Sequence, residues 1–105
     1  MSLGVKVNLL IFCRLKEDMK FNECQEDIIY YILDYYQHPR EKLTPCIEVF
    51  EEIFKEKYSN LNIEENTREL VSSGVLRTLS FHEYLDFTET FKSSKDYKLF
   101  KDKKT

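Results

Sequence analysis

Apolar positions recur at helical spacing in four stretches of this chain, and the first is the densest. Over residues 22–36, NECQEDIIYYILDYY, a turn of about 100° per residue gathers Phe21, Cys24, Ile28, Ile29, Ile32, Tyr35 and Tyr36 on one side. Glu23, Glu26, Asp27, Tyr30, Asp34 and Gln37 take the other side. Asn22 stands at an N-cap with Gln25 three residues later, the capping-box spacing. Glu23, Glu26 and Asp27 load the first turn with the negative charge that a helix N-terminus favours. His38-Pro39 closes the segment, because the residue before proline is pushed out of the α region. This spacing predicts the helix that the remaining segments cover.

Three more amphipathic stretches follow. Thr44-Pro45 predicts a helix start, with threonine at the N-cap and proline at the first helical position. Its apolar face holds Cys46, Val49, Phe50, Ile53, Phe54 and Tyr58, with Glu48, Glu51, Glu52, Lys55 and Glu56 opposite. Asn62 and Glu65 then mark a third helix with a stripe of Ile63, Thr67, Leu70 and Val71. Gly74 suits the left-handed position that ends it, with Val75 or Leu76 folding back. Ser80-Phe81-His82-Glu83 repeats the start signal and predicts a fourth helix over residues 81–92, with Phe81, Tyr84, Leu85, Thr88 and Phe91 on one side. Residues 5–15, VKVNLLIFCRL, alternate at first and then lose the alternation, so strand and helix both stay open. Lacking a second convincing strand, we prefer a helix or an extended packing segment there. The expected fold is all-α: a small antiparallel bundle of four helices, or five with the N-terminal segment. One helical domain over residues 1–91 is expected, with a lysine-rich, frayed tail over 92–105 that Tyr97, Leu99 and Phe100 dock for a turn.

Composition supports that picture. A length of 105 residues suits one domain with its own core, and 15 Phe and Tyr residues make that core bulky. Two glycines and two prolines are too few for a turn-rich β-sandwich. Charge is uneven beneath a net of −3: residues 92–105 carry six lysines against Asp96 and Asp102, or +4, leaving −7 for residues 1–91. An acidic body repels phosphate backbones, which disfavours nucleic acid, and it draws in a basic partner mainly by speeding association. Cys13, Cys24 and Cys46 are odd in number and form no CxxC pair, which points to reduced thiols in the cytoplasm. The apolar run at residues 9–13 is too short to span a membrane and lacks the flanks of a secretory signal, so no membrane association is expected.

Candidate chemistry is thin. Cys24 and Cys46 fall on apolar faces, where a thiol stays protonated and inert, so pairing one with His38 or His82 makes a poor nucleophile site. His82 with Glu83 and Asp86 reads as a surface histidine rather than a metal site. No Gly-rich phosphate loop, HExxH or EF-hand loop occurs. We therefore expect no enzyme, with no catalytic, cofactor-binding or metal-binding residue.

Two acidic faces remain as expected partner-binding positions: Glu23, Asp27, Tyr30 and Asp34 in the first helix, and Glu48, Glu51, Glu52 and Glu56 in the second. Tyr30 has two readings, an interface anchor or an amphipathic tyrosine lying along the surface. Such faces suit a non-catalytic inhibitor or immunity-type protein that offers carboxylates where a basic partner such as a nuclease expects phosphate. In its helical layout alone, with no motif to carry it, the chain resembles the small helical-bundle bacteriocin immunity proteins. One alternative is a winged helix-turn-helix DNA-binding regulator with residues 62–73 as recognition helix. Against it stand Glu64, Glu65 and Glu69 beside a lone Arg68, and the want of a clear strand pair after Leu79. Another is a homo-oligomer, at its simplest a homodimer, pairing through Tyr31, Leu33, Phe87 and apolar residues of the tail.

Overall fold

A computed structural model describes residues 20–104. The ambiguous segment 5–15, with Cys13, lies outside the described residues. Helix α1, Glu23–Gln37, starts as its sequence requires. Asn22 Oδ1 accepts the Gln25 N–H at 2.8 Å, and Gln25 Oε1 accepts the Asn22 N–H at 3.1 Å. The helix closes where His38 donates to the Asp34 carbonyl, one residue before Pro39. Burial reaches further around α1 than one stripe: Cys24, Ile28, Ile29 and Ile32 are buried, and so are Tyr31 and Leu33. Tyr36, placed by the spacing on the apolar side, is 47% exposed. A helix buried on several sides needs cover from several elements. Phe50 of the second helix stacks edge-on to Tyr31, the third helix packs along α1, and Phe100 near the C-terminus meets Tyr30.

Helix α2, Ile47–Ile53, is shorter than predicted, ending before Phe54, Glu56 and Tyr58, with Ile53 of the expected apolar face 43% exposed. Helix α3, Asn60–Ser72, forms where the period predicts it, with another cap. Pro45 is buried ahead of α2, whose N-cap is Cys46 in extended backbone without a side-chain bond. Thr44, expected at that cap, instead sets its hydroxyl 3.4 Å from Tyr35 Oη. Helix α3 begins two residues before Asn62, because the Ser59 hydroxyl accepts the Asn62 N–H at 3.1 Å. Its end follows expectation. Gly74 takes φ +88°, its N–H bonds the Val71 carbonyl, and the Val75 N–H reaches back to the Leu70 carbonyl. Val75 and Leu70 are both buried, which supplies the hydrophobic contact of this C-cap.

The all-α expectation fails after Gly74. Strands β1, Leu76–Leu79, and β2, Tyr84–Phe87, form an antiparallel hairpin with Leu76 opposite Phe87 and Leu79 opposite Tyr84. The fourth helix expected over residues 81–92 is replaced by the hairpin turn, β2 and a single helical turn, α4, Glu89–Lys92. Two competing signals explain the error. Leu85 and Phe87 are buried while Tyr84 is exposed and Asp86 half-buried, the period of two that marks a half-buried strand. The Ser80…Glu83 motif belongs to a tight turn rather than a cap. Ser80 and Glu83 take positive φ, 61° and 53°, and the Ser80 hydroxyl accepts the His82 N–H. Thr88 is the cap that operates, its hydroxyl accepting the Phe91 N–H at 3.0 Å. Pro45 adds a third edge to the hairpin, since its carbonyl accepts the Leu85 N–H at 2.9 Å.

The fold is thus mixed and mostly helical, with a two-stranded hairpin after the third helix. Residues 95–104 follow as helix α5, Lys95–Lys104. Phe100, 7% exposed, docks it between Phe21 and Tyr30, and Tyr97 lies against Phe87 and Phe91. Leu99 is 52% exposed.

Candidate interaction surface

Of the two acidic faces expected from the sequence, the one on α1 is largely engaged within the chain. Lys57, beyond the end of α2, bonds Glu23 at 2.8 Å and Asp27 at 3.0 Å. The Tyr58 hydroxyl donates to the same Asp27 oxygen at 2.7 Å. These carboxylates, Glu23 first and then Asp27, push the Lys57 ammonium above its ordinary range. Burial, and then the bond to Asp27, push the Tyr58 phenol up to about 12. Asp34 lies 3.8 Å from Lys42. Tyr30 is half-buried, its ring meeting Phe100 edge-on at 5.1 Å. Such contacts tie α1 to the chain after α2, with Glu23 itself still exposed and Asp27, Tyr30 and Asp34 half-buried.

The α2 face stays at the surface. Glu48, Glu52 and Glu56 are exposed and Glu51 is half-buried, with Lys55 reaching Glu52 at 3.1 Å. Helix α3 continues the acidity. Glu65 and Glu69 are exposed, and Glu64 holds the Arg68 guanidinium through contacts of 2.9 and 3.3 Å. Those bonds to Glu64 raise the Arg68 pKa and keep its charge occupied within the helix. Across residues 47–73 there are seven glutamates against Lys55, Lys57 and Arg68, a net of −4. The buried Gln25 fastens α3 to α1 by donating to Glu69 at 2.6 Å, and Asn22 donates to Asn66 at 2.8 Å.

Between α3 and the hairpin lies a groove of about 300 Å³, lined by Ile47, Thr67, Arg68, Val71, Ser72, Thr78, Glu83 and Leu85. Leu85 is 2% exposed and Thr67 is buried, its hydroxyl committed to the Ile63 carbonyl. The hairpin tip projects beside this groove. Phe81 is 88% exposed, His82 lies edge-on to it at 5.8 Å, and Tyr84 stacks on His82 at 5.4 Å. On the strands behind, Arg77 reaches Asp86 at 3.6 Å. The Tyr36 phenol is pushed up to about 12, by burial first and then by the nearby Asp86 carboxylate.

The period of 3.6 placed Phe81 on a core face and so hid both the exposed tip and the groove. The alternation of Tyr84, Leu85, Asp86 and Phe87 was the signal that would have found them. Of the residues expected to pair two copies, Tyr31, Leu33, Phe87 and Phe100 are buried, while Leu99 of the tail is 52% exposed.

Cys24 and Cys46 are buried free thiols whose pKa values burial raises, the reverse of what a nucleophile needs. Among the described residues no group of three His, Cys, Asp or Glu side chains is placed to hold a metal ion, and no helix is long and apolar enough to cross a membrane. Comparison with known protein families, curated proteins and solved structures gives no match to this chain.

Proposed function

We propose that this chain is a non-catalytic acidic interaction module that docks the carboxylates of α2 and α3 on a basic protein partner. A nuclease inhibitor or immunity-type protein is the concrete form. The observation that carries it is helix α3. In the position of a DNA-reading helix it offers Glu64, Glu65 and Glu69, with its one arginine held by Glu64. Phosphate oxygens and base edges call for the opposite charge. A basic protein is drawn to such a surface, with an association rate that falls as salt rises. The exposed Phe81, His82 and Tyr84 beside it add the aromatic side chains that protein interfaces favour. Free buried thiols at Cys24 and Cys46 suit a reducing compartment such as the cytoplasm.

Of the faces expected from the sequence, Glu48, Glu51, Glu52 and Glu56 are kept as the contact surface. Glu23, Asp27, Tyr30 and Asp34 are left out of it, because Lys57, Tyr58, Lys42 and Phe100 within the chain already engage them. A second reading rests on the hairpin: three helices followed by β1 and β2 is the order of a winged helix-turn-helix DNA-binding regulator.

One titration separates the two. The full chain, labelled, is titrated with a panel of basic nucleases and with a mixed-sequence DNA duplex, at low and then moderate salt. A nuclease bound at low salt, released by moderate salt and lost on Glu51→Lys with Glu52→Lys is the expected result. Salt-sensitive binding to DNA alone would overturn the proposal in favour of the regulator.

A further inference from the structure

We infer that the groove between α3 and the hairpin takes one large apolar side chain from a lysine- or arginine-rich segment of the partner protein. The inference rests on the acidic docking proposed above and names the anchor within it. The groove's volume, about 300 Å³, stands at the lower end of ligand pockets, enough for a single side chain. Ile47, Val71 and Leu85 supply apolar walls that α2, α3 and β2 hold in fixed relation, and the buried Thr67 closes the floor.

The rim decides what may stand next to that side chain. Glu83, at the end of the hairpin turn, lines the groove together with Arg68, and Glu64 already bonds Arg68. Around this ion group the helices carry −4 over residues 47–73. An apolar side chain flanked by acids would meet repulsion at this rim; one flanked by lysines or arginines would not. Protein interfaces concentrate their affinity in such buried anchors, while the surrounding charges set orientation and rate. Ser72 and Thr78, both exposed on the rim, offer hydroxyls to the backbone of an entering segment.

Two synthetic probes test this on the full chain: a lysine-rich peptide with one central leucine, and its twin with alanine there. At low salt the leucine peptide should bind about tenfold more tightly, the ratio that burying one leucine side chain supports. In amide NMR spectra it should shift Val71, Thr78 and Leu85, and the alanine peptide should not. Ser72→Phe, at an exposed rim position, fills the groove without changing charge; it should reduce the leucine peptide to the affinity of its twin. Should both peptides bind equally, the groove inference is overturned while acidic docking survives. If neither binds at low salt, the docking proposal fails and takes the groove with it. The NMR shifts decide the point in the native chain even if Ser72→Phe does not fold.

Discussion

At the scale of single residues, the strongest electrostatic statement concerns two tyrosines. Tyr58 donates to Asp27, and Tyr36 lies near Asp86; both phenols are pushed up to about 12, by burial first and by those carboxylates next. An unfolded tyrosine titrates near 10. A folded value above the unfolded one means that the stabilisation is complete below about pH 10 and is lost as pH rises toward 12. Between those values the unfolded chain releases protons that the folded chain keeps, so stability falls. Lys57, raised by Glu23 and Asp27, acts in the same direction. Urea denaturation across pH 9–12 should therefore show a steep alkaline loss, flattened in the Tyr36→Phe, Tyr58→Phe variant. Equal slopes in both proteins would show that these hydroxyls do not govern it.

At the scale of elements, the crossover from helix to hairpin depends on Gly74 and Thr88. Gly74 at φ +88° turns the chain out of α3 at a conformation that L side chains rarely adopt. Thr88 then locks the far end of the hairpin against that turn. Its hydroxyl donates to the Gly74 carbonyl and accepts the Phe91 N–H, and its own N–H reaches the Val75 carbonyl. Thr88→Ala removes the cap and the bond to the turn together and should cost about 1–2 kcal/mol. Thr88→Ser keeps the hydroxyl and should recover most of that loss, as thermal or urea unfolding would show. Were both variants equally destabilised, the role would lie in the threonine methyl and not in the hydrogen bonds.

At the scale of the whole molecule, charge and scaffold oppose each other. Three helices followed by a hairpin are the order on which the regulator reading rests, yet α3 presents glutamates. If charge is what excludes DNA, Glu64→Lys, Glu65→Lys and Glu69→Lys together should create affinity for a mixed-sequence duplex that weakens as salt rises. The parent chain should show none under the same conditions. A triple variant that remains folded and still ignores DNA at low salt would mean that the scaffold itself does not fit the groove. Because Glu69 accepts from the buried Gln25, circular dichroism of the variant must accompany the titration.

Local rules were sufficient for α1, α2 and α3. Asn22 with Gln25, the 3.6-residue spacing of Ile28, Ile29 and Ile32, and Gly74 after Val71 each act within a few residues, so the chain itself determined these helices and the turn that ends the third. The acidity of residues 47–73 was equally readable, being a matter of counting. Residues 76–87 were decided elsewhere. Ser80 and Glu83 satisfy a helix-start pattern, and Tyr84, Leu85, Asp86 and Phe87 satisfy a strand pattern, so local preference left the choice open. What settled it was the distant Pro45 carbonyl accepting the Leu85 N–H, with the core receiving Leu76, Leu85 and Phe87 from one side of a hairpin. Pairing and burial of that kind depend on residues some forty positions apart. They gave the molecule its exposed Phe81 tip and its groove, of which the alternation of Tyr84, Leu85, Asp86 and Phe87 was the local trace.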